Sequence, residues 1–376
     1  IKLMKQLGLR AYRFSISWPR IFPQGRGKVN RPGFDFYSRL VDGLLEADIR
    51  PFVTLYHWDL PQALQEKGGW DNRDTVYYFR DYVAEVAGRL SDRVSYWVTH
   101  NEPWVVAFLG HMLGTHAPGL KNLTTALQVS YNLLLSHGMA VRVLREIGGE
   151  RTQVGITLNL SPVYPGSRSK SDYDASIRFD GCLNRWFLDP IFKGEYPQDM
   201  TIHYEPDLFI FGDVHDPEVI SAKIDFLGVN YYARSVIEAD PEENFLNLRV
   251  RWEPYSEGLY GILTRLKKDY APAAIYITGN GVDLPDRLNE KGEVNDPRRI
   301  EFLGRHLLQV HRAIQEGVNV RGYFVWSLMD DFEFEYGYSK RFGLIYVDFP
   351  TQRRFVKKSG FWYRRVIEKN GLERVK

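Results

Sequence analysis

Cysteine is nearly absent. Cys182 is the only one in 376 residues, so no intrachain disulfide can form. That usage fits a reducing compartment and leads to the expectation of a cytoplasmic protein. Long apolar runs are also missing: no stretch approaches the roughly 20 residues a membrane helix needs. Neither sign of charge dominates. With 49 Lys and Arg against 47 Asp and Glu, the formal net charge is +2, whereas a dedicated nucleic-acid binder carries a basic patch or stripe. The 9 His residues show no H-E-x-x-H or comparable spacing. His111 with His116, and His306 with His311, are spaced off one helical face. No glycine-rich phosphate loop follows an early strand. Neither a metal nor a cofactor is therefore expected. The opening "IKLMKQLGLRAYRFSIS" lacks the pattern of a signal peptide and reads as the end of a helix entered partway. Low-complexity tracts and internal repeats are absent.

What is present is an ordinary globular composition, 44% hydrophobic and 26% charged. Aromatics are abundant, with 9 Trp, 23 Tyr and 22 Phe. They suit a large core or platforms for sugar stacking, and abundance does not choose between the two. Short apolar runs alternate with longer amphipathic segments. "LRAYRFSIS", "RPFVTLYHW", "VSYWVTHNEP", "TQVGITLNLSPVYP", "KIDFLGVNYY", "AIYITGNG" and "VRGYFVWSLMD" read as strands. Helical segments separate them, among them "GFDFYSRLVDGLLEADI" with Leu40, Leu44 and Leu45 on one face. Continuous apolar strands between helices imply a parallel sheet covered on both faces. The reading is an α/β chain forming a single (β/α)8 barrel domain over residues 1–376, with about seven of the eight strands countable. The polar stretches Tyr204 to Ser221 and Glu238 to Trp252 read as loops.

Polar residues gather at the C-terminal ends of the strands: Arg13, His57 and Trp58, Asn101 and Glu102, Asn230 and Tyr232, Asn280, then Trp326. A barrel brings these ends to one mouth, where barrel enzymes keep their active sites. Each residue alone has a plainer reading. His57 suits a hydrogen-bonded core histidine, Glu102 a helix cap, and Arg13 a structural ion pair. Their joint placement carries the argument.

The ordered segments "YRFSISWPRI", "TLYHWDLP", "NEPW", "IDFLGVNYY", "FVWSLMDDFE" and "GYSKRFGLIYVD" resemble the signature segments of the family 1 β-glycosidases, retaining β-glucosidases and their relatives. The resemblance runs from the first residue to about Gly371. It implies that Glu102 is the general acid/base and that Asn101 bonds the sugar 2-hydroxyl. His57 and Trp326 would line the glycone pocket, and Asn230 belongs with the substrate-binding set. Glu333 would accept hydrogen bonds from the far hydroxyls. Arg13 and Tyr232 would flank the nucleophile. The substrates implied are β-glucosides and β-galactosides, small-molecule carbohydrates, with no nucleic-acid or membrane partner.

Three departures stand out. The family places Trp after the pocket Glu, and this chain has Phe334, which keeps an apolar face but loses the indole N–H. The family's "TENG" is "TGNG" here, so Gly279 stands in the place of the nucleophilic Glu. Asp283, four residues on, is the nearest substitute in sequence, but catalytic geometry tolerates only about half an ångström of error. The family's first strand and helix, with a Gln that grips the glycone, have no counterpart, which would leave two sheet edges facing each other. An isolated strand Gly also fits a bulge or a close backbone approach. Two functional readings follow: a nucleophile-less glycosidase capable of synthase-type transfer, or an inactive carbohydrate-binding or scaffold barrel.

Overall fold

The computed structural model describes residues 1–204, 212–240, 242 and 248–372. Local pattern explains its main elements. The helix Arg31–Glu46 buries Phe34, Tyr37, Val41 and Leu44, spaced by three and four residues. Pro32 lies in its first turn, where a missing N–H costs nothing. The strand Arg50–Tyr56 is buried from Pro51 onward, as expected for a strand with helices over one face and neighbours on both sides.

Seven strands form one parallel sheet among the described residues: β1 (Ala11–Ser15), β2 (Arg50–Tyr56), β3 (Tyr96–Asn101), β4 (Gln153–Asn159), β6 (Phe226–Asn230), β9 (Ile275–Asn280) and β10 (Val320–Val325). Their spatial order is β1-β2-β3-β4-β6-β9-β10. Every pairing is parallel, and helices cross between successive strands. This is the (β/α)8-type barrel, nearly closed. The two expected edges are β1 and β10. A cleft of about 790 Å³ runs between them, walled by Tyr12, Phe14, Tyr323 and Val325 and reaching Arg13, His57 and Trp326.

Two loop assignments are corrected. Glu238 lies in a strand, β7 (Arg234–Ala239), and Trp252 in another, β8 (Leu248–Glu253), with β5 (Val163–Pro165) completing a separate three-stranded sheet. Residues 241 and 243–247 lie outside the described residues. The sequence signal was the alternation Leu248, Val250, Trp252, masked by Arg249 and Arg251 between them. Likewise, the strand expected to continue to Pro165 stops at Asn159, and its last residues join this other sheet. Within Tyr204 to Ser221, Asp216–Ile220 is a short helix, while 205–211 lie outside the described residues. A hairpin of β11 (Ile345–Asp348) and β12 (Arg353–Val356) follows the last barrel strand.

The barrel interior is layered. At the N-terminal end Phe52, Val98 and Phe226 form an apolar plug. The Phe52 ring lies 4.3 Å from that of Tyr96 and 4.9 Å from that of Phe324. Each such ring contributes about 1.5–3 kcal/mol of burial. Above the plug the side chains become polar, and the candidate site begins.

Candidate active site

Arg13 organises the polar layer. From β1 it donates to Thr54 Oγ1 on β2 (3.1 Å), to the Thr278 carbonyl on β9 (2.9 Å) and to Asn101 Oδ1 on β3 (2.6 Å). Burial lowers its pKa to about 10, against the raising effect of Tyr232 and Glu102, so it stays charged at neutral pH. Asn101 is oriented without ambiguity. Its Oδ1 accepts from Arg13 and from Asn230 Nδ2 (3.2 Å), and its Nδ2 donates to His57 Nε2 (3.1 Å). The His57 proton therefore sits on Nδ1. Burial, then Arg13, push the His57 pKa down to about 3, which keeps the ring neutral.

Glu102 follows β3 directly. Its φ of 49° is in the left-handed region, uncommon for a residue with a side chain. Its N–H donates to the Thr157 carbonyl on β4 (2.8 Å), which locks the turn. The carboxyl is buried and accepts from Asn230 Nδ2 at 2.5 Å. Its pKa is raised, first by burial and also by Glu333, while Asn230 and Arg13 pull it down. A carboxyl poised above its usual range can hold a proton to give and can take one back.

Asn230 joins this carboxyl to Gly279. Its Oδ1 accepts from Thr278 Oγ1 (2.8 Å). A Cβ built on Gly279 would lie 2.8 Å from that same Oδ1 and 2.8 Å from the Tyr232 hydroxyl. Three consequences follow. Tyr232 does flank position 279, as expected. The backbone does not demand glycine there, since the φ of Gly279 is not positive. The immediate space for a side chain is closed by the tips of Asn230 and Tyr232. Burial raises the Tyr232 pKa well above its ordinary value, so its hydroxyl remains a donor. The bulge reading has some substance too. Ile277 pairs with Val229 and Gly279 with Asn230, leaving Thr278 as the extra residue.

The far wall comes from β10 and its loop. Trp326 Nε1 donates to Glu333 Oε1 (3.2 Å). Burial raises the Glu333 pKa, Trp326 lowers it and Asp283 raises it again. Phe334 is 55% exposed. Its ring lies 5.4 Å from Trp58 and 6.3 Å from His57, so it caps the mouth more than it lines a buried wall. Asp283 is held elsewhere, accepting from Lys340 Nζ (2.9 Å) and the Arg341 N–H (2.8 Å). Asn280 is also drawn away from the mouth. It is fully buried, donates to the Tyr231 carbonyl (2.6 Å) and accepts from the Tyr323 hydroxyl.

Sequence reasoning missed Asp331 and the threonines. Asp331 lines the cleft beside β1, and burial, Glu333 and Asp330 push its pKa up to about 7. Its position inside "DDFE" was the available signal. Thr54, Thr157 and Thr278 bind the polar layer together, with Thr157 donating to Thr278 (3.2 Å). Among the described residues no cluster could hold a metal ion, and no helix is long and apolar enough to cross a membrane.

Comparison with known proteins bears on this geometry. Residues 1–372 match the family model for glycosyl hydrolase family 1. Beta-glucosidase A of Acetivibrio thermocellus is 47% identical, covering 99% of this chain and 86% of that protein. Beta-glucosidase A of Thermotoga maritima is 45% identical, over 99% of this chain and 85% of its own. The solved Thermotoga maritima beta-glucosidase in complex with deoxynojirimycin superposes with a TM-score of 0.95 at 44% identity, covering 99% of this chain and 86% of that one. The same enzyme in complex with glucoimidazole also gives 0.95.

Proposed function

The chain belongs to glycosyl hydrolase family 1 and is an enzyme of the β-glucosidase type, and on that premise we propose that it is a retaining β-glycosidase whose nucleophile position carries no carboxylate. One observation carries the reading. The Arg13, Asn101, Asn230, Tyr232 and Glu102 network is complete around residue 279, and that residue is glycine. Glu102 is the general acid/base, and Asn101, His57, Trp326 and Glu333 bind the glycone of a β-glucoside or β-galactoside, with Phe334 over its mouth. The inhibitor complexes of the Thermotoga maritima relative support a carbohydrate substrate. The cleft between β1 and β10 is where an eighth parallel strand would complete one catalytic barrel.

Retaining hydrolysis needs a second carboxyl about 5–5.5 Å from the first to attack the anomeric carbon. Without it, hydrolysis fails at its first step, but transfer from an inverted donor does not. With an α-glucosyl fluoride, the C1–F bond breaks and fluoride leaves with its electron pair on the Gly279 side. An acceptor sugar hydroxyl attacks from the opposite face, forming the β-linked C1–O bond and passing its proton to Glu102. Incubation of the chain with α-glucosyl fluoride and an aryl glucoside acceptor tests this. The expected product is a β-linked disaccharide that persists. Absence of transfer, with sugar binding intact, favours a carbohydrate-binding barrel without chemistry. The closure of Asn230 and Tyr232 over Gly279 is the observation on that side.

A further inference from the structure

A second cavity, of about 440 Å³, lies between the segment after β2 and the segment after β3. Pockets for small molecules run from roughly 300 to 1,000 Å³. Its polar lining includes His111, which is only 2% exposed. His111 Nδ1 lies 2.8 Å from the Val106 carbonyl. A carbonyl only accepts, so the proton is on Nδ1 and Nε2 presents a bare lone pair. Burial lowers the His111 pKa, in keeping with a neutral ring. His111 Nε2 and Asp59 Oδ1 are both buried without a hydrogen-bond partner among the described residues, and both residues line this cavity. Leaving a buried acceptor unpaired costs about 1–3 kcal/mol, and two such acceptors belong to residues that line one cavity.

We propose that this cavity is a second binding site for a neutral polyhydroxylated molecule, a free sugar or polyol of about hexose size, separate from the glycone pocket. Hydroxyls donate to His111 Nε2 and Asp59 Oδ1, and the carbon face lies against the Trp58 and Trp70 rings. Trp70, a third lining residue, has its Nε1–H buried without a partner as well, so the unpartnered set holds two acceptors and one donor, which hydroxyls, able both to donate and to accept, can answer together. The site stands independently of the glycosidase reading, yet it shares a wall with the first pocket. Trp58 and Phe334 line the cavity, and the His57 ring lies 5.1 Å from Trp58.

Calorimetric titration with xylitol and with glucose tests the site in the parent chain, in Glu333→Ala, which weakens the glycone pocket, and in His111→Phe and Asp59→Asn. The expected result is xylitol binding that survives Glu333→Ala and weakens at least tenfold in His111→Phe and in Asp59→Asn. The milder Asp59→Asn carries the test if His111→Phe does not fold. Overturning results are no xylitol binding in the parent, which leaves a cavity filled only by solvent, or binding lost with Glu333→Ala alone. Xylitol binding unchanged in both cavity variants, or a preference for an alkylammonium over xylitol, would also overturn it.

Discussion

Replacing Asn230 with alanine should raise the pKa of Glu102 further. Asn230 Nδ2 donates to the Glu102 carboxyl at 2.5 Å in a buried setting. A hydrogen bond to the charged form favours that form, so removing it favours the protonated one. A bond to a charged group is worth about 1.5–3 kcal/mol. Losing it moves the balance toward the protonated carboxyl by up to about that amount. Arg13 still faces the carboxyl and limits the change. The same substitution removes one of two donors to Asn101 Oδ1 and the acceptor of Thr278 Oγ1, so some stability is lost as well. The assay is carboxyl carbon NMR across pH, with the Glu102 signal identified by its disappearance in Glu102→Gln. A Glu102 pKa that falls or stays put in Asn230→Ala would refute the reasoning, because Asn230 would then not be holding the ionised form.

Lys357 is fully buried between Asp286 (2.5 Å) and Asp330 (2.8 Å), which also pair with Arg299 and Arg341. Breaking a buried ion pair typically costs about 3–5 kcal/mol. With those two arginines remaining, Lys357→Met should fall near the lower end, read as a reduced denaturant midpoint at unchanged slope. Asp331 has its pKa raised to about 7 in the folded chain, so the folded state binds its proton more tightly than the unfolded state. Its contribution is fully present below the unfolded carboxyl range and is lost as pH rises through about 7. Asp331→Asn should flatten the fall in stability between about pH 4 and 7, measured by thermal melts at stepped pH. An unchanged slope would show that Asp331 ionises as freely in the folded chain as in the unfolded one.

The barrel was legible because its strands are continuous apolar runs and its helices carry apolar residues at three- and four-residue spacing. The helix around Phe34, Tyr37, Val41 and Leu44 shows the pattern plainly. Leu248 to Glu253 was not legible, because two exposed arginines break the apolar run that marks a barrel strand. The hairpin Ile345–Asp348 with Arg353–Val356 escaped for a related reason. Its second strand begins with two exposed arginines and gains its shape by pairing with the first. Within the site, Arg13, Asn101, Glu102, Asn230, Tyr232 and Trp326 were singled out by their positions at or near strand ends, whereas Glu333 came from the family resemblance alone. Asn280 sits at such an end too, but its amide is claimed by the Tyr231 carbonyl. Strand position alone does not say which way a terminal side chain turns. The crowding at Gly279 was equally hidden, because it depends on where Asn230 and Tyr232 rest across the barrel.

The most direct test is the initial rate on a nitrophenyl β-glucoside for the chain, for the chain with azide, and for Gly279→Glu. A new side chain at 279 must displace the Tyr232 hydroxyl and the Asn230 amide, whose Oδ1 and the hydroxyl each lie 2.8 Å from its Cβ, so the substitution also shifts a residue that bonds Glu102 and Thr278. The expected result is a rate at least about a thousandfold below that of Gly279→Glu, a difference of about 4 kcal/mol. Azide should restore part of it by attacking the anomeric carbon from the side where the carboxylate is missing. Fast hydrolysis by the unaltered chain, indifferent to azide and matched by Gly279→Glu, would contradict the claim that residue 279 is the missing nucleophile.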